Sequence, residues 1–136
     1  MKNFCLLALF GLTAGMLLAQ IDSAHAIDPF KKEFEAKYVK AEPGTPEEEA
    51  LAAAVKQAKC NVCHVGVKKK DKNAYGLALD ELLDKKTDAK DKAKISEALD
   101  KVAAMKSNPA DEASPTFGEL ISQGKLPVAE DAQAAK

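Results

Sequence analysis

Large apolar side chains are scarce in this sequence, and their scarcity limits the hydrophobic core that the chain can form. The 136 residues include five Phe, two Tyr and no Trp. Two of the phenylalanines, Phe4 and Phe10, fall in an apolar segment at the N-terminus and leave five aromatic side chains for the rest. A small domain with so few bulky side chains has a marginal core, and such domains usually depend on a cross-link or a cofactor.

The first 26 residues have the pattern of an export signal. Lys2 precedes an apolar run of 16 residues, 4–19, and a small-residue cleavage motif ends at Ala26. A membrane anchor is the alternative, but the run is shorter than the ~20 residues that span a bilayer. Cys5 lies at the start of the apolar run and not after it, which argues against a lipoprotein signal. We predict cleavage after Ala26, a periplasmic location and no membrane span in the remainder.

Cleavage after Ala26 leaves few side chains that could bind a metal. Residues 27–136 contain two cysteines, one histidine and one methionine, namely Cys60, Cys63, His64 and Met105. The formal net charge is −1 for the full chain and stays so, because one lysine and one aspartate leave with the signal. A nearly neutral chain has no general attraction to nucleic acid or to anionic membranes, so we expect neither as a partner.

The remaining sequence has helical periodicity and no alternating strand pattern. Phe30, Phe34 and Tyr38 recur every four residues and share one helix face, which we expect to pack on the core. We predict an all-α fold with about four to five helices. The predicted divisions are a signal at 1–26, an N-terminal helical arm at 27–44, a domain at 45–126 and a flexible tail at 127–136.

Capping signals predict where the helices begin and end. Thr45, Pro46 and Glu48 form a capping-box pattern that starts a helix running to about residue 59. Further helices are predicted at 74–85, within 87–109 with Asn108 and Pro109 as its end, and from Ser114 and Pro115 to a stop at Gly124.

Both cysteines and the histidine fall within five residues, Cys60-Asn-Val-Cys63-His64. A dithiol redox centre usually lies in a βαβ context, and this sequence shows no strand pattern. A structural zinc site needs four ligands, more than the Cys and His of residues 27–136 supply. C-x-x-C-H is the signature of covalent haem attachment, in which both thiols join one porphyrin and His64 binds its iron. A simple disulfide or free thiols remain the alternative.

The predicted helix 46–59 leads directly into Cys60, Cys63 and His64. A loop, short helices and a closing helix follow them. In this respect the chain resembles the monohaem class I cytochromes c over roughly residues 46–124. The resemblance implies a cytochrome c-like fold wrapped round one covalent haem c. It also implies that helices 46–59 and 115–123 cross near the haem. Tyr75 and Gly76 occupy about the position of a Gly-Pro pair common in that family.

The second axial ligand of the iron decides what such a haem does. No second histidine remains after cleavage, and Met105 is then the only thioether. The family's distal methionine has a similar position, so the resemblance implies Met105 as the distal ligand. In the alternative, Met105 fills the core, and the iron is open or held by a lysine such as Lys106 or Lys125.

The expected function is therefore that of a periplasmic carrier of single electrons rather than an enzyme. The main rival is a five-coordinate haem protein that binds a small gas or turns over peroxide, and a third reading is a helical module without a cofactor. A lysine cluster follows the motif and could guide an acidic redox partner to the haem edge, although a solvated loop would look the same. Its members are Lys68, Lys69, Lys70 and Lys72.

Overall fold

The computed structural model describes residues 28–128 as a mostly helical chain. The elements in order are α1 (Pro29–Tyr38), α2 (Pro46–Ala58), a 3-10 helix (Lys59–Val62), β1 (His64–Val65), β2 (Asp71–Lys72), α3 (Ala74–Leu82), α4 (Lys92–Ala103) and α5 (Phe117–Ser122). The all-α class is thus confirmed at a coarse level. The predicted signal, its cleavage site and residues 129–136 of the predicted tail lie outside the described residues. No helix within 28–128 combines the length and apolar character needed to cross a membrane.

The start of α2 agrees with the sequence prediction in all but one hydrogen bond. Thr45 caps the helix, and its Oγ1 accepts from Glu48 N at 3.3 Å. The return bond of the predicted capping box is absent there, because Glu48 Oε2 instead accepts from Gly44 N at 2.8 Å. Lys40 holds the other carboxylate oxygen at 2.5 Å. The Glu48 side chain therefore fastens the α1–α2 connection to the helix that follows it.

The predicted start of the last helix at Ser114 is wrong. α5 begins two residues later, with Thr116 as its cap, and Thr116 and Glu119 form the complete reciprocal capping box. Only the later position places a glutamate three residues into the helix. Ser114 is buried, and its Oγ donates to Asn108 O at 3.0 Å, which closes the loop before α5. The predicted stop at Gly124 is confirmed by its left-handed backbone, with φ of 75°.

The predicted helix end at Asn108 is also wrong, because α4 stops at Ala103. Beyond it, Phe117 N donates to Met105 O at 3.0 Å, and Ser107 N donates to Pro115 O at 2.9 Å. These bonds pair the chain after α4 with the chain entering α5. The backbone N–H and C=O groups that would form hydrogen bonds in a longer α4 are instead paired with the chain before α5.

The predicted helices 46–59 and 115–123 correspond to α2 and α5. The chain after α5 meets α2 near the first residues of α2. A Cβ at Gly124 would lie 2.6 Å from Glu47 O and 3.0 Å from Ala50 Cβ, so the chain after α5 is tight against the first turns of α2. Cys60 follows the opposite end of that helix. With a rise of ~1.5 Å per residue, most of the length of α2 separates this close approach from the cysteines.

Three aromatic rings form the centre of the core. Tyr75 lies between Phe34 and Phe117, with ring centroids 5.8 Å and 5.1 Å away and near-perpendicular ring planes. Tyr38 continues the series from Phe34 at 5.1 Å, and its hydroxyl donates to Leu99 O at 3.1 Å. The prediction that the aromatic face of α1 packs on the chain's own core is confirmed. Around the rings lie Leu51, Val55, Val62, Leu79, Leu83, Ile95, Ala98, Leu99, Val102 and Ile121.

One element has no counterpart in the sequence prediction. Residues 64–72 form a small antiparallel hairpin in which His64 pairs with Lys72 and Val65 with Asp71. Strands of two residues are too short to show the alternation on which strand prediction depends. The lysines of the predicted patch therefore lie on the turn and second strand of a hairpin whose first strand begins at His64.

Replacing Phe34 by alanine tests whether α1 belongs to the core. Phe34 is 1% exposed and contacts both Tyr38 and Tyr75, so Phe34→Ala should lower the free energy of unfolding by about 3–5 kcal/mol. Denaturant unfolding of the full chain measures this change. Val67→Ala is the control, because Val67 is 95% exposed and should change stability little. Equal stabilities of the two variants would mean that α1 does not pack as described.

Candidate functional site

The C-x-x-C-H segment leaves α2 through a sharp change of backbone direction. Lys59 has a φ of 54°, and it opens a single 3-10 turn in which Cys63 N donates to Cys60 O at 3.2 Å. His64 then starts β1. This sequence of turn and strand brings Cys60, Cys63 and His64 to the wall of one cavity. The structure thus assembles the three residues that the sequence singled out.

The cavity combines an apolar interior wall with a charged rim. Its volume is about 410 Å³, within the ~300–1,000 Å³ usual for ligand pockets. The apolar lining comes from α1, the 3-10 helix, α3 and the residue that follows α3, and comprises Phe30, Val62, Leu79 and Leu83. The charged lining comprises Lys31, Lys59, Lys69, Lys72, Lys85, Asp28 and Asp80. Such a site suits an apolar ligand that carries negative groups.

Asn73 fastens the cysteine turn to the start of α3. Its Nδ2 donates to Val62 O at 3.0 Å and to Asn61 O at 3.3 Å, while its Oδ1 accepts from Gly76 N at 2.9 Å. Its backbone N donates to Cys63 O at 3.1 Å. Asn73 is buried, and its side-chain bonds to Val62 O and Gly76 N are buried as well, so they are shielded from competing water. The Asn73 side chain therefore caps α3 and also donates hydrogen bonds to the carbonyls of residues 61 and 62 in the turn.

Gly76 lets α3 approach the turn more closely than any other residue could. A Cβ at this position would lie 2.1 Å from Cys63 O and 3.2 Å from Cys63 Cβ. The sequence prediction treated neither Asn73 nor Gly76 as part of the site. The signals were present: Asn before an apolar helix is a good cap, and a glycine inside a helical pattern often marks a close backbone approach.

Burial keeps the Cys63 thiol neutral. Desolvation is the main cause that raises its pKa to about 12, and the negative charge of Asp28 raises it further. Nucleophilic and redox-active cysteines have lowered pKa values, because the thiolate is the reactive form. No disulfide joins Cys60 and Cys63. The environment of Cys63 thus disfavours the dithiol redox centre considered from the sequence.

His64 has a ring nitrogen without a protein partner. Its Nδ1 is buried and forms no hydrogen bond with the described residues. Buried polar atoms are nearly always satisfied, and an exception calls for an explanation such as an ion or a bound group. An unsatisfied imidazole beside two thiols at the wall of a cavity fits a site that holds a metal-containing ligand.

Ion pairs tie neighbouring elements together at the rim of the cavity. Lys72 contacts Asp80 at 2.6 Å and so links the hairpin to α3. Lys85, which follows α3, contacts Asp28 at the start of α1 at 3.2 Å. Both pairs are largely exposed, and surface pairs of this kind contribute ~0–1 kcal/mol. Their main consequence is to keep α1 and the hairpin beside the cavity.

The structure does not bring Met105 to this cavity. Met105 follows the end of α4, is 38% exposed, and is absent from the cavity lining. The condition that α4 end near Ala103 is met, but the thioether is not placed with His64. Lys106 and Lys125, the alternative distal ligands, do not line the cavity either. Lys106 Nζ donates to Ser114 O at 2.8 Å.

Comparison with protein-family models, with curated proteins and with solved structures finds no match to this chain. Within residues 28–128, no group of three or more His, Cys, Asp or Glu side chains is arranged to hold a bare metal ion. The case for a function therefore depends on the residues of the cavity.

A glycine substitution tests the contact between α3 and the cysteine turn. Gly76→Ala forces a Cβ against Cys63 O, so the turn or α3 must move, and we expect a loss of about 1–3 kcal/mol in stability. Gly44→Ala is the matched control, since a Cβ there meets nothing nearer than 3.8 Å. Denaturant unfolding measures both variants. A Gly76→Ala protein as stable as Gly44→Ala would contradict the close approach.

Proposed function

We propose that this chain binds one haem c covalently and carries single electrons. The observation that supports it best is that Cys60, Cys63 and His64 line one cavity with apolar walls. The unsatisfied Nδ1 of His64 fits the same reading. The likeness of the C-x-x-C-H segment to the class I cytochromes c supports it from the sequence side.

Each cavity residue then has a distinct task. Cys60 and Cys63 form the two thioether bonds, and His64 provides the proximal ligand of the iron. Val62, Leu79 and other apolar side chains of the wall exclude water from the porphyrin faces. The rim lysines stand where they can neutralise porphyrin carboxylates. When bound, the haem supplies an iron that alternates between ferric and ferrous states and so accepts and returns one electron.

Asn73 and Gly76 act as positioning residues in this proposal. By holding the carbonyls of residues 61–63 against α3, they limit the movement of both cysteines and of His64. A site whose ligands are already held loses less entropy when the ligand binds. The same rigidity favours electron transfer, because the surroundings of the iron need little rearrangement when its charge changes.

A second candidate function follows from the position of Met105. Because this thioether is exposed and outside the cavity, a haem held by His64 alone would be five-coordinate. An open sixth position would bind a small gas or peroxide. The carrier remains the first proposal because a low-spin, six-coordinate iron needs only one further ligand, and the cavity lining contains several nitrogen donors.

Export to the periplasm belongs to the same proposal. Haem c is attached after a chain has crossed the membrane, and the first 26 residues have the pattern of a cleaved signal. The location is supported by that pattern.

The hairpin turn is the proposed contact for an acidic redox partner. Lys68, Lys69 and Lys70 are exposed, and no ion pair joins them to a carboxylate within residues 28–128. Val67 beside them is 95% exposed. Lys69 also lines the cavity, so the charged turn is continuous with the site. Unneutralised lysines next to a redox centre attract negatively charged partners.

Expression with a haem-maturation system tests the cofactor. We expect the wild-type product to be red, to keep its colour after denaturation, and to have the mass of the chain plus one haem. A Cys60→Ala/Cys63→Ala protein should lose the covalent mass. Met105→Ala serves as the matched control and should retain it. Colourless wild-type protein of bare polypeptide mass would refute the proposal, including its gas-binding form.

Charge reversal on the hairpin tests the partner contact. Lys68→Glu/Lys70→Glu should slow oxidation of the ferrous protein by anionic hexacyanoferrate roughly tenfold at low salt, with the difference shrinking as salt is added. Lys90→Glu/Lys101→Glu makes the same charge change at exposed residues that are neither in the cavity lining nor next to a lining residue in the chain, and should have a smaller effect. Stopped-flow absorbance gives both rates. Equal slowing by the two pairs would indicate net charge rather than a local contact.

A further inference from the structure

We infer that Lys31 of α1 provides the distal ligand of the haem iron, in place of Met105. This inference rests on the proposed function, since it requires the haem that Cys60, Cys63 and His64 would hold. It assigns α1 a direct part in the site. The sequence prediction treated this helix as an arm outside the haem domain and named other lysines.

The choice of ligand begins with the donors that the cavity contains. His64 is the only histidine and Met105 the only methionine in residues 28–128, and Met105 is not in the lining. Besides the thiols and two aspartates, the remaining donors are five lysines. An amine nitrogen is a stronger-field ligand than a carboxylate, so a six-coordinate low-spin iron would draw on a lysine.

Three of those five lysines belong to the segment that carries His64. Lys59 directly precedes Cys60, and Lys69 and Lys72 lie on the hairpin that begins at His64. Lys72 is the backbone pairing partner of His64 and also contacts Asp80. These lysines come from the same wall as the proximal ligand, and a distal ligand has to come from a different one.

The two lysines from other elements differ in exposure and in their partners. Lys85 has a side chain that is 73% exposed and is tied to Asp28. Lys31 has a side chain only 19% exposed, the lowest value among the cavity lysines that form ion pairs. Lys31 also lines the same cavity as Cys60 and Cys63. Burial beside the thiols favours Lys31.

The present partner of Lys31 can be released without loosening the fold. Its Nζ contacts Glu35, one turn further along the same helix. The Glu35 carboxylate can return to water, because its side chain is 35% exposed. When Nζ binds the iron, one N–H proton leaves to solvent and the nitrogen lone pair forms the new bond. No contact between α1 and another element has to break for this exchange.

Spectra of the haem-loaded protein distinguish ligation from a purely electrostatic role. Wild-type ferric protein should be low-spin, and Lys31→Ala should lose the low-spin signal in its visible and electron paramagnetic resonance spectra. Lys31→Arg should lose it as well, because a guanidinium keeps the charge but does not bind iron. Lys32→Ala and Lys32→Arg are the controls on the exposed neighbour and should remain low-spin.

Carbon monoxide gives a second readout that does not depend on redox activity. The observed rate of carbon monoxide binding to ferrous wild-type protein should reach a plateau, set by the rate at which the lysine dissociates. The rate for Lys31→Arg should instead stay proportional to the gas concentration. Circular dichroism and haem mass establish that each variant is folded and loaded.

Three results would overturn the inference while leaving the haem itself in place. They are a high-spin wild-type protein, a Lys31→Arg protein that stays low-spin, and loss of the low-spin signal in Met105→Ala alone. Wild-type protein without covalent haem would instead overturn the proposed function together with the inference.

Discussion

The hydrogen bonds of Asn73 are the interaction on which the rest of this structure depends. A 3-10 turn has few internal hydrogen bonds, and the turn that carries both cysteines would otherwise present unpaired carbonyls inside the protein. Asn73 satisfies two of them with its side-chain amide and a third with its backbone N–H. The same side chain caps α3. The hydrogen bonds of Asn73 therefore connect the cysteine turn directly to the helix behind it.

This link joins the site to the centre of the core. Tyr75 and Gly76 are consecutive residues of α3 with opposite roles. Gly76 lies against the Cys63 carbonyl, while Tyr75 is fully buried between Phe34 and Phe117. The Tyr75 hydroxyl has no partner in the described residues, and burial raises its pKa strongly. A core with so few aromatic rings retains this one despite the unsatisfied hydroxyl, because its ring connects α1, α3 and α5.

Charge around the cavity differs from charge over the whole chain. The full sequence is nearly neutral, but five lysines and only two aspartates line the cavity. Their side chains come from α1 and its cap residue Asp28, the cysteine turn, the hairpin, α3 and the segment after α3. A local excess of positive charge lets a chain of low net charge hold an anionic ligand and attract an acidic partner without binding polyanions in general. α1 contributes both a lysine and an aspartate, so it belongs to the site as much as the segment of 59–72 does.

Local sequence was sufficient wherever the deciding contacts lie within a few residues. The Thr45 cap, the stop at Gly124 and the aromatic face of α1 follow from spacing alone, as does the grouping of Cys60, Cys63 and His64. Of the two nearby caps, only Thr116 has a glutamate at the capping-box spacing, and the reciprocal bond of Glu119 favoured it over Ser114.

Only the tertiary structure decided the contacts between residues that are distant in sequence. One such contact is the part that α1 forms in the cavity wall. Another is the pairing of the chain after α4 with the chain before α5. The exposure of Met105 and the approach of Gly76 to Cys63 were decided in the same way. The sequence determines which local conformations are favourable, because capping and periodicity act over one or two turns. Which side chains share a wall depends on how the helices pack, and that is decided by the burial of the whole core at once.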